Sequence, residues 1–371
     1  MNEFAHGLSE AEMGVPTPEA GQESDARAAV GRKEFDTEGG KVAVEWKTFT
    51  PEGVPQIEGQ EPPDRVVLFL PGVGIEAQSG TAAGLSQHLA NYEQVPAIVM
   101  TSRKEEVNVG EQDDLLHQAE AIRQLVVEKG ITELTLVGNS LGGAKSIDLA
   151  YLIQTQHPNI TIKGMILLGS AGLYEQDSTQ IAQKLVKESG WETTKTVTKE
   201  LAGEVKRVLL TDIQKLVSRW DVKEVLQSSA KAIRSGVNVV EAYRKELFGS
   251  SLKQFAERIQ QEAVSAARLN ERAKVLKMPI VLVQGTKDTV FEVDQIIPAE
   301  SKVRGMDAQQ QRSEAVRQNV FLESENIIVL LAEKFGHHGV PYFRDEQIAK
   351  VALYMQERER RRKGSNATDN N

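Results

Sequence analysis

A serine hydroxyl becomes a nucleophile only when a base takes its proton and a third group orients that base. One serine of this chain has the local setting for it. Ile131-Thr-Glu-Leu-Thr-Leu-Val-Gly-Asn-Ser140-Leu-Gly-Gly-Ala-Lys-Ser-Ile147 joins an apolar, β-prone run to a helical pattern through Gly138-Asn139-Ser140-Leu141-Gly142-Gly143. Strand, sharp turn and helix are the context in which Gly-x-Ser-x-Gly describes a nucleophile. A turn that tight forces the serine into strained φ/ψ and lifts its Oγ out of the sheet edge. The flanking positions then leave no room for a Cβ, which accounts for Gly138 and Gly142. The helix N-terminus behind the serine aims N–H groups at any oxyanion formed there. The competing reading of the same residues is a glycine-rich turn that merely packs a helix on a strand.

Two further residues decide between these readings. Asp288 lies in Gly285-Thr-Lys-Asp288-Thr-Val-Phe, just past an apolar run ending at Val283, and His337 lies in Phe335-Gly336-His337-His338-Gly339, past a run ending near Leu331. The order along the chain is Ser, Asp, His. Each residue follows the carboxyl end of an expected parallel strand, where such sheets place their sites. Alone, Asp288 reads as a solvated loop aspartate and His337 as a structural or surface histidine; the joint pattern favours chemistry. Glu292 and Asp294 are rival acids farther from the strand end, while His88, His117 and His157 fall in helical or loop contexts without a partner pattern. An oxyanion needs two backbone donors. Leu141 N–H is one, and the loop after Leu70 is expected to supply the other, with Val73 N–H favoured; Pro71 has no N–H and cannot serve.

The elements that must hold these residues are legible as periods. Val42 to Phe49 alternates after Gly39-Gly40, as a strand of an opening hairpin does. Arg65 to Leu70 is continuous and apolar, as a strand buried on both faces is. A helix is expected from near Ser79 or Thr81, a shorter strand over Val95 to Met100, and a helix with Leu115, Ala119, Ile122 and Val126 on one face, stopped by Gly130. Gly164 to Gly169 is another buried strand. From about Tyr174 only helical periods occur, until the strand pattern returns at Met278 to Gly285. A helix around Gln309 to Val320, a strand over Ile327 to Leu331 and a last helix from Gln347 to about Arg360 follow. Strands alternating with helices are the βαβ signature of a doubly wound, mostly parallel α/β sheet. The expected organisation is a disordered tail over 1–30, core over 31–173, an inserted helical cap over 174–275, core again over 276–363, and a solvated tail over 364–371.

Composition sets the outer bounds. Of 371 residues, 40% are hydrophobic and 26% charged, as in a soluble protein with a sizeable core. A net charge of −9 argues against nonspecific nucleic-acid binding. The absence of cysteine removes thiolate catalysis and Cys-ligated zinc, and fits a reducing, cytoplasmic setting. No signal peptide and no membrane span are expected. No metal or organic cofactor is implied, and the oligomeric state is left open.

Leu70-Pro-Gly-Val-Gly74, Val137-Gly-Asn-Ser140-Leu-Gly-Gly143, Asp288 and Gly336-His337 together resemble the α/β-hydrolase superfamily. The resemblance covers about residues 40–173 and 276–360, with the helical stretch in the place of a cap. Many members carry His-Gly where this chain has Pro71-Gly72. The resemblance implies a catalytic triad of Ser140, Asp288 and His337 and an oxyanion hole of Val73 and Leu141, acting on a small-molecule ester or acyl substrate. In such families the base directly follows a glycine, which favours His337 over His338. It also leaves two other functions open. The Gly-Asn-Ser-x-Gly-Gly form is similar to that of carbon–carbon bond hydrolases acting on meta-cleavage products, and a non-catalytic binding scaffold could keep the fold.

Overall fold

The computed structural model describes residues 30–53, 64–72, 77, 80–104, 113–185, 260–267, 270–292, 295, 308–324 and 326–332. Eight strands form one sheet: β1 (Val30–Thr37), β2 (Gly40–Phe49), β3 (Arg65–Leu70), β4 (Ala97–Lys104), β5 (Glu133–Asn139), β6 (Thr161–Leu168), β7 (Ile280–Gly285) and β8 (Ile327–Ala332). Their order across the sheet is β1-β2-β4-β3-β5-β6-β7-β8. β2 runs antiparallel to both β1 and β4; every other pair is parallel. After β3 the chain steps to β4 on one side and then returns to β5 on the other. That reversal opens a crevice at the carboxyl ends of β3 and β5, where open α/β sheets bind their ligands.

Period-two alternation divides the central strands between two faces. Val66, Leu68 and Leu70 of β3 join Leu134, Leu136, Met165, Leu167, Ile280 and Leu282 under helices α2 (Asp114–Glu128) and α3 (Leu141–Gln156). Val67 and Phe69 join Val137, Ile166, Leu168, Val281 and Val283 under helix α1 (Gly80–Glu93). Both faces are covered, which is why these strands read as unbroken apolar runs rather than alternating ones. Helix α4 (Ala308–Asn319) adds Val316 to the first face, and Val320 and Phe321 follow it there.

The two largest differences from the sequence expectation are in strands β4 and β1. β4 extends to Lys104 instead of stopping at Met100, because Thr101 to Lys104 pair antiparallel with Val42 to Glu45 of β2. That pairing satisfies the backbone of a polar stretch that local periodicity alone would leave as loop. The second is β1, whose alternation is obscured by Arg32, Lys33, Glu34 and Asp36 on an edge strand. The tails expected over 1–30 and 364–371 fall, except for Val30, outside the described residues, as does the helix expected from Gln347. Among the described residues no helix is long and apolar enough to cross a membrane.

The segment expected as a cap is described only at its two ends, and both ends pack into the core. Helical residues 178–185 bury Ile181 and Leu185, and helical residues 260–266 bury Ala263 and Ala266, all in the cluster that contains α3. A 3-10 turn at Glu271–Val275, capped by the Asn270 side chain accepting from Arg272 N, leads back into β7. Replacing residues 186–259 by a short linker should therefore leave a cooperatively folding core. Removing 174–275 should not, since it exposes the α3 face; thermal melts of the two deletions compare them.

A buried polar cluster ties the second end of that segment to the core. Gln118 Nε2 donates to Asp114 Oδ2 at 2.7 Å, Gln261 Nε2 donates to Asp114 Oδ1 at 2.5 Å, and Lys145 Nζ and Ser102 Oγ both donate to Gln118 Oε1. Burial, followed by the charge of Glu262, raises the Asp114 carboxyl from 3.8 to about 6. The folded protein thus holds a proton in a window where the unfolded chain has lost it. The contribution of this group to stability is lost as pH rises from about 4 to about 6 and does not return above that. Burial likewise raises Asp148 to about 6, so part of the slope is its own. Asp114→Asn keeps an acceptor for one glutamine and places a donor amide in the cluster that holds Glu262. It should raise stability at pH 7 by about 1–2 kcal/mol and flatten the pH 4–6 slope, read from urea midpoints.

Candidate active site

Strand β5 ends at Asn139 and helix α3 begins at Leu141, so the whole turn between them is Ser140. Its φ of 54° and ψ of −125° lie outside every region that an L-residue favours. Gln94 is the only other non-glycine residue with positive φ among the described residues, and it merely follows the last residue of α1. A backbone strained this way costs on the order of 1–3 kcal/mol and persists only where its surroundings over-determine it. Here they do. Ser140 N donates to Leu168 O at 3.0 Å, and Ser140 O accepts from Gly143 N at 2.9 Å and Ala171 N at 3.1 Å. The Asn139 side chain donates to Leu168 O at 3.0 Å, so the residue before the serine is pinned to the same carbonyl.

The glycines flanking the serine are steric requirements. A Cβ on Gly142 would lie 2.1 Å from Leu70 O and 2.5 Å from Pro71 O. A Cβ on Gly138 would lie 2.7 Å from Gly143 Cα and 2.4 Å from Ser146 Oγ. Backbone opposes the side chain in both cases, so no rotamer change relieves the clash. The first turn of α3 is thereby drawn down onto the end of β3. The loop after β3 comes as close to the serine itself: a Cβ on Gly72 would lie 2.9 Å from Ser140 Cβ and 3.4 Å from its Oγ. Ser140 is 5% exposed and its side chain makes no cap hydrogen bond to α3. Leu141, the next residue, is the first of the helix, so its N–H has no intrahelical acceptor.

Asp288 lies past the end of β7, at the same carboxyl edge of the sheet as Ser140, with β6 between the two strands. The turn that carries it closes through Asp288 N donating to Gly285 O at 3.2 Å. The residue is 5% exposed. Oδ1 accepts from Val290 N and Phe291 N, each at 2.9 Å, and Oδ2 accepts from Gln284 Nε2 at 2.9 Å. This is not the solvated loop aspartate that its flanking residues alone would allow. Of its rivals, Glu292 points outward to Lys184 at 2.9 Å and its side chain is 48% exposed, while Asp294 lies outside the described residues. His157, at the C-terminus of α3, meets Arg123 of α2 on the helical layer, away from the crevice. Val73, His337 and His338 lie outside the described residues.

Two residues near Asp288 were not singled out as site candidates in the sequence. Tyr174 OH accepts from Glu292 N at 3.0 Å. Burial, with smaller contributions from Glu292 and Asp288, pushes its hydroxyl well above the usual phenol range, so it stays protonated. The other is Gln284. Its signal was present: one polar residue ending the run Ile280-Val-Leu-Val283, four before the aspartate.

This strand order, with a strained serine at the β5–α3 turn and a buried aspartate after β7, defines an α/β-hydrolase. Within that class the chain belongs to the family described as serine aminopeptidase, S33, whose model matches residues 100–325. Similar solved structures include a meta-cleavage product hydrolase from Pseudomonas fluorescens IP01, with a TM-score of 0.49 at 13% identity, covering 89% of this chain and 98% of that one. A thermophilic esterase from Thermogutta terrifontis has a TM-score of 0.48 at 13% identity, covering 88% and 98%. A probable hydrolytic enzyme from Pseudomonas aeruginosa PAO1 has a TM-score of 0.48 at 15% identity, covering 89% and 95%. No curated protein matches the chain.

The close approach of α3 to β3 yields a sharp expectation. Gly142→Ala should destabilise the fold by about 3 kcal/mol or more, since the added methyl meets two backbone carbonyls. Gly84→Ala, whose Cβ meets nothing within 4 Å, is the matched control on α1 and should be neutral or stabilising. Denaturant midpoints of the two variants decide it.

Proposed function

We propose that the protein hydrolyses a carboxylic ester or thioester of a small molecule through an acyl-enzyme on Ser140. The observation that carries this reading is the backbone of Ser140, held at φ 54° between two glycines that admit no Cβ. A turn that only packed a helix on a strand would not require a strained serine at its apex. In the proposed reaction Ser140 Oγ attacks the acyl carbon while His337 takes the hydroxyl proton. The tetrahedral oxyanion is bound by the N–H groups of Leu141 and Val73. His337 then gives its proton to the departing alkoxide or thiolate, which leaves as alcohol or thiol. A water, deprotonated by His337, attacks the acyl-enzyme, releases the acid and returns the proton to Ser140. Asp288 fixes the tautomer of the histidine and stabilises the imidazolium. The fixed carboxylate of Asp288, with its three donors, supports that part. Within 174–275, the stretch between the two core-packed ends is assigned to substrate access, as a cap between two halves of the core.

The family description names aminopeptidases, so esters and amides must both be tried. p-Nitrophenyl esters of increasing chain length form one series and aminoacyl p-nitroanilides the other. A fluorophosphonate probe should label wild type at Ser140 and leave Ser140→Ala unlabelled. Ser140→Ala should lower turnover on the order of a millionfold while stability stays level or rises slightly. His337→Ala should cost three or more orders of magnitude, and His338→Ala about tenfold or less. A Ser140→Ala enzyme that kept most of its activity would end the reading. A dead His338→Ala beside an active His337→Ala would exchange the two histidines and leave the rest.

A further inference from the structure

Gln284 is fully buried at the end of β7, and its amide is arranged in an uneven way. Nε2 donates to Asp288 Oδ2 at 2.9 Å and also to Phe291 O, whereas Oε1 has no hydrogen-bond partner among the described residues. The orientation of the amide is forced. Turning it over would place Oε1 against a carboxylate and a carbonyl, both acceptors. If position 284 served only to fill space, leucine or methionine would do so without burying an unmatched amide oxygen, which is a net cost to folding. The amide is therefore explained by what it donates to.

Resting on the acyl-enzyme reading above, we propose that Gln284 is a positioning residue for Asp288: its amide fixes the plane of the carboxylate and tempers its negative charge. The carboxylate is gripped from two directions. Two backbone N–H groups of the 288–291 turn hold Oδ1, and the β7 side chain holds Oδ2. The backbone pair restrains Oδ1 and leaves Oδ2 unrestrained by the turn; the glutamine adds a restraint on Oδ2. By binding Phe291 O as well, the same NH2 couples the carboxylate to the turn that carries it. A carboxylate that shares its charge with one more donor stabilises a neighbouring imidazolium less, so Gln284 also sets how readily the catalytic base takes up a proton. Ionisable groups described near Asp288 include Tyr174, which stays protonated, and Glu292, paired with Lys184; Lys287, next to it in the chain, is exposed.

The test uses the full-length protein. Gln284→Leu and Gln284→Met both remove the donor; the unbranched methionine covers the case in which leucine does not fit. With native circular dichroism retained, kcat should fall about tenfold at unchanged KM. The acidic limb of the kcat/KM profile should move to higher pH by roughly half to one unit, because a less shared carboxylate makes the base hold its proton more strongly. A purely structural role would lower activity without moving the limb. In a proton–nitrogen NMR spectrum of wild type, the Gln284 side-chain amide should stand apart and should shift in Asp288→Asn. Folded variants with kcat within twofold of wild type and an unmoved limb would overturn the proposal. So would an amide resonance that ignores Asp288→Asn. Failure of the acyl-enzyme reading is read separately, from an unlabelled or dispensable Ser140.

Discussion

The contact on which the rest of the structure depends is that between the first turn of α3 and the last residues of β3. Gly142 lies so close to Leu70 O and Pro71 O that no side chain can intervene. That proximity is possible only if the chain reverses from β5 into α3 within one residue, and a one-residue reversal forces positive φ on whatever occupies it. Ser140 is that residue. The hydrogen bonds to Leu168 O and from Ala171 N then come from β6 and its following loop, so three neighbouring strands share in holding one strained peptide. Strain is tolerable here because it is local, on the order of a few kcal/mol, and set against a core that buries both faces of the sheet.

Sheet topology places this turn where it can act. The chain leaves β3 toward one edge and comes back to lay β5 on its other side, so the loops after β3 and β5 diverge and leave a crevice. Gly72, in one loop, and Ser140, at the start of the helix, stand on its two lips, so close that a Cβ on Gly72 would lie 2.9 Å from Ser140 Cβ. A parallel sheet also aims the N-terminus of each following helix at that edge. The start of α3, where Leu141 N–H lacks an intrahelical acceptor, thus lies at that edge as a consequence of connectivity rather than of any feature particular to leucine.

How much of this was legible in the sequence depends on how local each cause is. The buried strands, the α3 helix and the Ser140 turn were readable because their causes lie within a few residues: apolar runs, a glycine on each side, a period of 3.6. Asp288 was readable as to place but not as to environment, since its backbone donors Val290 N and Phe291 N depend on a turn geometry that Thr289, Val290 and Phe291 do not announce. The far half of β4 was hidden because Thr101 to Lys104 become a strand only by pairing with β2. The helical segment after Tyr174 gave a clear period but no sign that its ends belong to the core; Ile181, Leu185, Ala263 and Ala266 read the same whether they face a cap or a sheet. Gln284 was visible as an oddity, a lone polar residue in an apolar strand, but its meaning needed the position of the Asp288 carboxylate.

The polar cluster at Asp114 shows how the two ends of the inserted segment come to be held so differently. Residues 178–185 are anchored mainly by apolar burial at Ile181 and Leu185, with the Lys184–Glu292 pair exposed above them. Residues 260–266 are anchored by Ala263 and Ala266, two small side chains with little area, and by Gln261, which reaches Asp114 at the start of α2. Ser265 Oγ, one turn further on, accepts from Leu115 N and so takes one of the donors that the start of α2 leaves without an intrahelical partner. Apolar contact of so small an area would fix neither the angle nor the register of a helix. Directional bonds to the end of α2 do, and α2 packs on α3, whose first residue follows the serine. The cost is a pair of buried carboxylates, Asp114 and Glu262, with Lys145 as the cation near them. Such clusters contribute less stability than apolar packing of equal volume would. What this one supplies is a unique seating of the returning chain on α2, reached before that chain enters β7 and delivers Asp288 to the same edge of the sheet.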